Sequence, residues 1–231
     1  MRKFRKRCAT TENTTNTNTT VISHFNMIEL YTWSTPNGRK VSIMLEECGL
    51  PYHVHKINIG TNSEQFTPEY LKINPNGKIP SIVDPDGPGG KPINMMESGA
   101  ILIYLADKSG KFLAQKYKYQ VLQWLMFQMG GVGPMFGQAH HFMRAKKDEI
   151  PYGSERYGNE AKRLYGVMDR HLSQHEFFAT EYSIADMAIY PWVARHEWHR
   201  VDLGGFPSVK RWYDKVGARP AVVKGMAVPQ V

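Results

Sequence analysis

The stretch Asn74-Pro75-Asn76-Gly77-Lys78-Ile79-Pro80-Ser81-Ile82-Val83 decides how the first half of the chain is read. It opens on turn-forming residues and closes on apolar, β-branched ones, so a loop hands over to a strand at residues 79–83. Proline cannot donate a ladder hydrogen bond, which puts Pro80 at the mouth of that strand rather than in its middle. A cis Ile79–Pro80 bond is one reason to have a proline there, because it leaves the N–H and C=O of Ile79 free to pair with an extended ligand. A trans proline that merely opens the strand is the commoner case.

Toward the C-terminus, Asp84-Pro85-Asp86-Gly87-Pro88-Gly89-Gly90 is turn-rich and residues 93–96 are strand-like, so the two strands form a hairpin. Ser98 is placed to cap a helix that runs through Lys108 and stops at Gly110. Toward the N-terminus, Thr67 and Pro68 are an N-cap and first-turn pair for a short helix ending near Leu71. Before them come a strand at 53–59, a helix at 39–48 with Val41, Met44, Leu45 and Cys48 on one face, and a strand at 27–33. Beyond Gly110 only helices are predicted: about 117–146 with a break, 152–175, 184–196 and 208–218. This order predicts an α/β unit over residues 27–112 and an all-α unit over 113–231.

The chain has 231 residues, 42% hydrophobic and 12% aromatic, with a formal charge of +8. Half of that charge sits in residues 1–26, where five basic residues face Glu12 alone. This segment then drifts into Thr and Asn, and reads as a disordered tail rather than a targeting helix, since only Met1, Phe4 and Cys8 offer an apolar face. The remainder is mildly basic, which suits a carboxylate-bearing substrate and calls for no nucleic acid. Cys8 and Cys48 form neither a disulfide framework nor a metal site, and no run is long and apolar enough to span a bilayer, so a reducing, cytoplasmic setting without a membrane or metal is expected.

Three positions carry candidate chemistry. Ser34-Thr35-Pro36-Asn37-Gly38 joins the first strand to the first helix, where unpaired N–H groups favour an anion or thiolate; Thr35 as a plain N-cap with Pro36 at the first helical position is an equal reading. Arg39 and Lys40 in that turn either face solvent or add positive potential to a site. Ile79 offers its backbone. Glu97-Ser98 sets a carboxylate beside a helix N-terminus, a pair able to recognise both charges of an amino acid, or simply a solvated acid before a cap. Ser183-x-x-Asp186 is a capping arrangement, which makes Asp186 structural. Trp124, Trp192, Trp198 and Trp212 read as packing, and Cys48 as buried and inert.

Thr35-Pro36-Asn37-Gly38, the run Asn74 to Pro80, and Glu97-Ser98-Gly99-Ala100-Ile101-Leu102 resemble the glutathione transferases. The likeness is closest to the Nu class, the bacterial glutathione-dependent disulfide reductases related to the yeast prion-forming nitrogen regulator. Gly130-Gly131-Val132-Gly133-Pro134-Met135, Ile150-Pro151-Tyr152 with Glu155-Arg156-Tyr157, and Tyr182-Ser183-Ile184-Ala185-Asp186 extend it through the second half.

The resemblance implies a thioredoxin-like domain followed by a helical one, a homodimer, and glutathione as cosubstrate with a small electrophile or disulfide. It implies that Thr35 and Asn37 hydrogen-bond the glutathione sulfur. Ile79 would then pair with the cysteinyl backbone, Glu97 with the γ-glutamyl ammonium and Ser98 with its carboxylate. Gln65, Lys78 and Arg156 are further contacts, Arg156 reaching from the helical half or from a partner subunit. Ser34 and then Tyr31 are the substitutes for Thr35. Two functions follow: disulfide reduction with transferase or peroxidase side activity, or a glutathione-binding relative that acts through protein interaction. The second-substrate surface is assigned to loops and to the helix bearing Met126, Met129, Met135 and Phe136.

Overall fold

The computed structural model describes residues 27–146 and 149–230, so the reading of residues 1–26 as a tail lies outside the described residues. The α/β half contains β1 (Ile28–Thr32), α1 (Pro36–Cys48), β2 (Tyr52–Lys56), α2 (Pro68–Leu71), β3 (Ser81–Asp84), β4 (Ile93–Met96) and α3 (Ser98–Ser109). The sheet order is β2-β1-β3-β4. β1 pairs parallel with β2 and antiparallel with β3, and β3 and β4 form the expected hairpin. In β1 the period of two sends Ile28, Leu30 and Thr32 into the interior, where Ile28 and Leu30 join one core with Val41 and Met44 of α1 and Ile101 and Leu105 of α3.

Several expected ends shift. α1 begins at Pro36, because Thr35 takes extended dihedrals and its hydroxyl accepts from the Gly38 N–H at 3.1 Å. β2 stops at Lys56. β3 begins at Ser81, just past Pro80, whose peptide bond with Ile79 is cis.

The rest is helical: α4 (Lys118–Phe127), α5 (Gly133–His140), α6 (Pro151–Leu172), α7 (Ile184–Val193), α8 (Pro207–Gly217) and α9 (Pro220–Met226). The break expected within 117–146 is a pair of π-helical turns at 128–132 and 141–145. Pro134 follows the first and lacks the N–H that a regular helix would need there. α9 was not anticipated. It lies on α1 so closely that a Cβ on Gly225 would fall 2.5 Å from the Ile43 Cα, while Ser42 Oγ donates to the Gly225 carbonyl at 2.7 Å. Arg219 grips Glu47 with two nitrogens, at 2.6 and 2.9 Å.

Asp186 is fully buried and accepts from the N–H groups of Phe178 and Ser183, the Ser183 hydroxyl and the Trp212 indole, the structural part expected of it. Burial pushes its carboxyl up to about 6 against the pull of those donors. Cys48 is buried beside Ser109 and burial pushes its thiol up, in keeping with an inert cysteine. Phe136 departs from its expected place on the second-substrate surface. It is wholly buried, stacked on Tyr165 with ring centres 4.8 Å apart.

Candidate active site

The N-terminal turn of α1 is held close to the end of β1. A Cβ on Gly38 would sit 2.4 Å from both Thr32 Oγ1 and the Trp33 carbonyl, so only glycine allows this approach. The Thr35 hydroxyl oxygen is engaged as acceptor, and its hydrogen has no acceptor among the described residues. Asn37 Oδ1 receives the Trp192 indole N–H at 3.1 Å. Indole nitrogen only donates, so the Asn37 amide must turn its oxygen to Trp192 and its NH2 outward. Two neutral donors therefore stand free at a helix N-terminus, an arrangement that stabilises an anion.

Opposite them, the Lys78 carbonyl is fixed by the Tyr70 hydroxyl at 2.7 Å and Asn74 Nδ2 at 2.6 Å. The next residue, Ile79, has no backbone hydrogen-bond partner among the described residues. Glu97 carries φ 66° and ψ 112°, a left-handed backbone uncommon for glutamate, and occupies the cap position before α3. The expected Ser98 cap is thereby corrected: Ser98 is already helical and makes no cap bond. Its buried hydroxyl instead receives Lys40 Nζ at 3.2 Å.

Lys40 is 1% exposed, and its ammonium nitrogen also donates to Gln128 Oε1 at 2.7 Å. Burial pulls its pKa down to about 7, with Glu97 acting in the opposite direction. Of the two earlier options for Lys40, the structure takes the inward one. Gln128 Nε2 and Gln65 Oε1 are buried without a protein partner, which marks places for a polar ligand.

These groups line two adjoining cavities. A narrow one of about 360 Å³ is walled by Asn37, Lys40, Ile79, Glu97, Ser98 and Gln128. A wide one of about 1000 Å³ is walled by Ser34, Thr35, Gln65, Lys78, Trp198 and Arg195. Asn37, Lys78, Ile79 and Trp192 border both, so Asn37 stands where the cavities meet, and Thr35 lines the wide one beside it. The wide cavity has a cationic rim. Arg144 and Arg195 each lie over the Trp198 ring, at 3.7 and 3.8 Å, and Arg39 donates to Ser34 Oγ at 3.1 Å. Burial, then repulsion from Arg39 and Arg144, lowers Arg195 to about 10. None of the three forms an ion pair among the described residues.

Seven of the eight expected site residues thus converge: Thr35, Asn37, Gln65, Lys78, Ile79, Glu97 and Ser98. Arg156 does not. It is exposed on α6, near the Tyr152 hydroxyl at 3.5 Å, and lines neither cavity. Tyr31 packs on His55 and Tyr70, away from both. The reading of Trp192 and Trp198 as packing alone is corrected, since both wall the cavities. Gln128 and Arg195 went unrecognised in the sequence, which held no local sign of them.

The model of the glutathione S-transferase N-terminal domain matches residues 35–108, and that of the C-terminal domain matches residues 134–220. The chain belongs to the glutathione S-transferase family. It is 46% identical over 209 residues to the disulfide-bond oxidoreductase YfcG of Escherichia coli (strain K12), covering 89% of this chain and 97% of that one. It superposes on a glutathione transferase from Pseudomonas putida with one glutathione disulfide bound per subunit, at TM-score 0.85 and 50% identity, over 90% of this chain and 94% of that one. A family member from Pseudomonas fluorescens with two glutathione bound matches at TM-score 0.83 and 50% identity, over 88% and 94%. The α/β half followed by a helical half is the glutathione transferase fold.

Proposed function

We propose that this glutathione transferase family member binds glutathione along the narrow cavity, with its sulfur at the first turn of α1, and uses it to reduce disulfides. The observation that carries this reading is the pair of unengaged donors, the Asn37 amide where the two cavities meet and the Thr35 hydroxyl beside it in the wide one. Donors at a helix N-terminus favour thiolate over thiol, and the thiolate is the attacking species. The Ile79 backbone pairs with the cysteinyl unit, Glu97 holds the γ-glutamyl ammonium, and Ser98 with Lys40 holds its carboxylate. Gln65 and Lys78 contact the rest of the peptide.

A disulfide entering the wide cavity is attacked at one sulfur. A new sulfur–sulfur bond forms to glutathione as the old one breaks, and the departing thiolate takes a proton from solvent. A second glutathione resolves the mixed disulfide, giving glutathione disulfide. Arg39, Arg144 and Arg195, which form no ion pair among the described residues, favour a second substrate that carries negative charge. Transferase or peroxidase turnover would use the same thiolate.

The reading extends to a homodimer. Tyr119 and Met126 on α4 are 77% and 52% exposed and line a shallow apolar trough with Leu122 and Phe127, and Arg156 reaches a cavity only if a partner brings one to it. Sedimentation should give twice the 26.4 kDa chain mass. Two folding units meeting near residue 112 and a cytoplasmic location belong to the same proposal; among the described residues no helix is long and apolar enough to cross a membrane. The decisive assay supplies glutathione and a small mixed disulfide to the full-length chain. Turnover at the uncatalysed rate would overturn the reading and favour a glutathione-binding protein without catalysis.

A further inference from the structure

β2 is an edge strand, and His53 and His55, two residues apart on it, point to one face of the sheet. In the parallel pairing Glu29 of β1 lies directly across from His53, and Tyr31 from His55. The register therefore gathers one carboxylate and two imidazoles on one patch of surface. His53 Nδ1 is 3.1 Å from Glu29 Oε2, His55 Nε2 is 2.5 Å from the same oxygen, and the two ring nitrogens are 3.3 Å apart. The His55 ring is steadied from beneath by Tyr31, stacked at 4.4 Å and 10°, while His53 meets His55 edge-on at 89°.

We propose that Glu29, His53 and His55 form a binding site for a divalent late-transition-metal ion such as Zn(II), separate from the glutathione cavities. Tetrahedral zinc with ligands at about 2.1 Å needs ligand atoms about 3.4 Å apart. Two of the three edges are already close to that length, and the third opens by about 1 Å when the ion replaces the hydrogen bond that now draws His55 to Glu29. Two imidazoles and one carboxylate select zinc, copper or nickel over magnesium or calcium, which prefer all-oxygen shells. The ligands are 33% to 61% exposed at their side chains, which leaves an entry path and a fourth position for water. None of them lines either cavity. The bound ion would staple the edge strand β2 to β1.

The test uses the full-length chain, stripped with chelator and free of glutathione. Zn(II) is titrated against a chromophoric competitor, and Co(II) is read by its visible spectrum. One equivalent of Zn(II) should bind in the micromolar range or tighter, raise the melting temperature, and give the intense bands of four-coordinate Co(II). His53→Ala, His55→Ala and Glu29→Gln should each weaken that equivalent at least tenfold and abolish the thermal shift, with glutathione affinity unchanged. A Cys8→Ser/His24→Ala protein, altered at the cysteine and the histidine of residues 1–26, should keep it. Absence of a saturable equivalent in the unaltered chain, or its survival in the His53→Ala/His55→Ala protein, would overturn the site; neither result bears on glutathione binding.

Discussion

The indole of Trp192 in α7 donates to Asn37 in the first turn of α1, joining residues 155 positions apart at 3.1 Å. This one bond decides which way the Asn37 amide faces, so the helical half of the chain sets a donor in the α/β half. Trp192→Phe keeps the ring and removes the donor. Turnover of disulfide should fall by up to about tenfold, the worth of one ordinary hydrogen bond. In an Asn37→Ala background the same change should cost less than about twofold, because the coupled partner is already gone. Additive losses in steady-state kinetics would show that Trp192 acts by another route.

Thr35 has two duties, capping α1 and donating to sulfur, and substitutions separate them. Thr35→Ala should lower stability by about 1 kcal/mol through the lost cap and raise the thiol pKa of bound glutathione, with turnover down one to two decades. Thr35→Ser retains both the cap and the hydroxyl hydrogen, and should restore both properties. Thiolate absorbance against pH in the binary complex, beside urea unfolding, measures the pair. An unmoved thiolate pKa in both Thr35→Ala and Asn37→Ala would transfer the role to Ser34.

Lys40 makes binding pH-dependent in a stated direction. Its depressed pKa of about 7 means that the free site loses its positive charge as pH rises through 7. A bound carboxylate favours the charged form, so binding above pH 7 takes up a proton. Affinity for S-methylglutathione, which has no thiol to titrate, should be greatest below pH 7 and fall toward tenfold per pH unit between 7 and 8.5. Calorimetry in buffers of different ionisation enthalpy should register the uptake, and Lys40→Met should flatten the profile.

Glu97 lines the narrow cavity, and its carboxylate has no protein partner among the described residues. Glu97→Gln keeps the side-chain shape and removes the charge that meets the γ-glutamyl ammonium. Glutathione affinity should weaken by about tenfold or more, while turnover at saturation changes less. A fall confined to turnover would contradict the assigned orientation of the peptide.

Asp186 answers for stability alone. Asp186→Ala leaves four buried donors without an acceptor, which should cost on the order of 3 kcal/mol or more. The acid's pKa is raised from 3.8 to about 6 in the folded state. The native chain therefore holds that proton more tightly than the unfolded chain between those values, and this group's contribution to stability declines as pH rises through the window. The gap between the native protein and Asp186→Ala, followed by urea unfolding, should narrow from pH 4 to pH 6 and then level off. Turnover per folded molecule should be unaffected.

The amino-acid sequence by itself determined what is settled within a few residues along the chain. The Thr35 cap, the hairpin over the turn at 84–90, the glycine stop at Gly110 and the Ser183–Asp186 capping box are local, because each joins groups fewer than about a dozen positions apart through backbone geometry that residue types dictate. Sequence resemblance also identified seven residues that converge at the cavities. Only tertiary structure decided the rest. Lys40 looks like a surface lysine in a helix's first turn until packing brings Ser98 and Gln128, 58 and 88 positions away, to its ammonium. Trp192 and Arg195 become cavity walls only when α7 and the turn after it are laid against α1. Glu29, His53 and His55 meet because two strands pair in one register, and a slip of a single residue would send the histidines to the opposite face. Contacts of this range depend on how whole elements pack, and no local pattern records them.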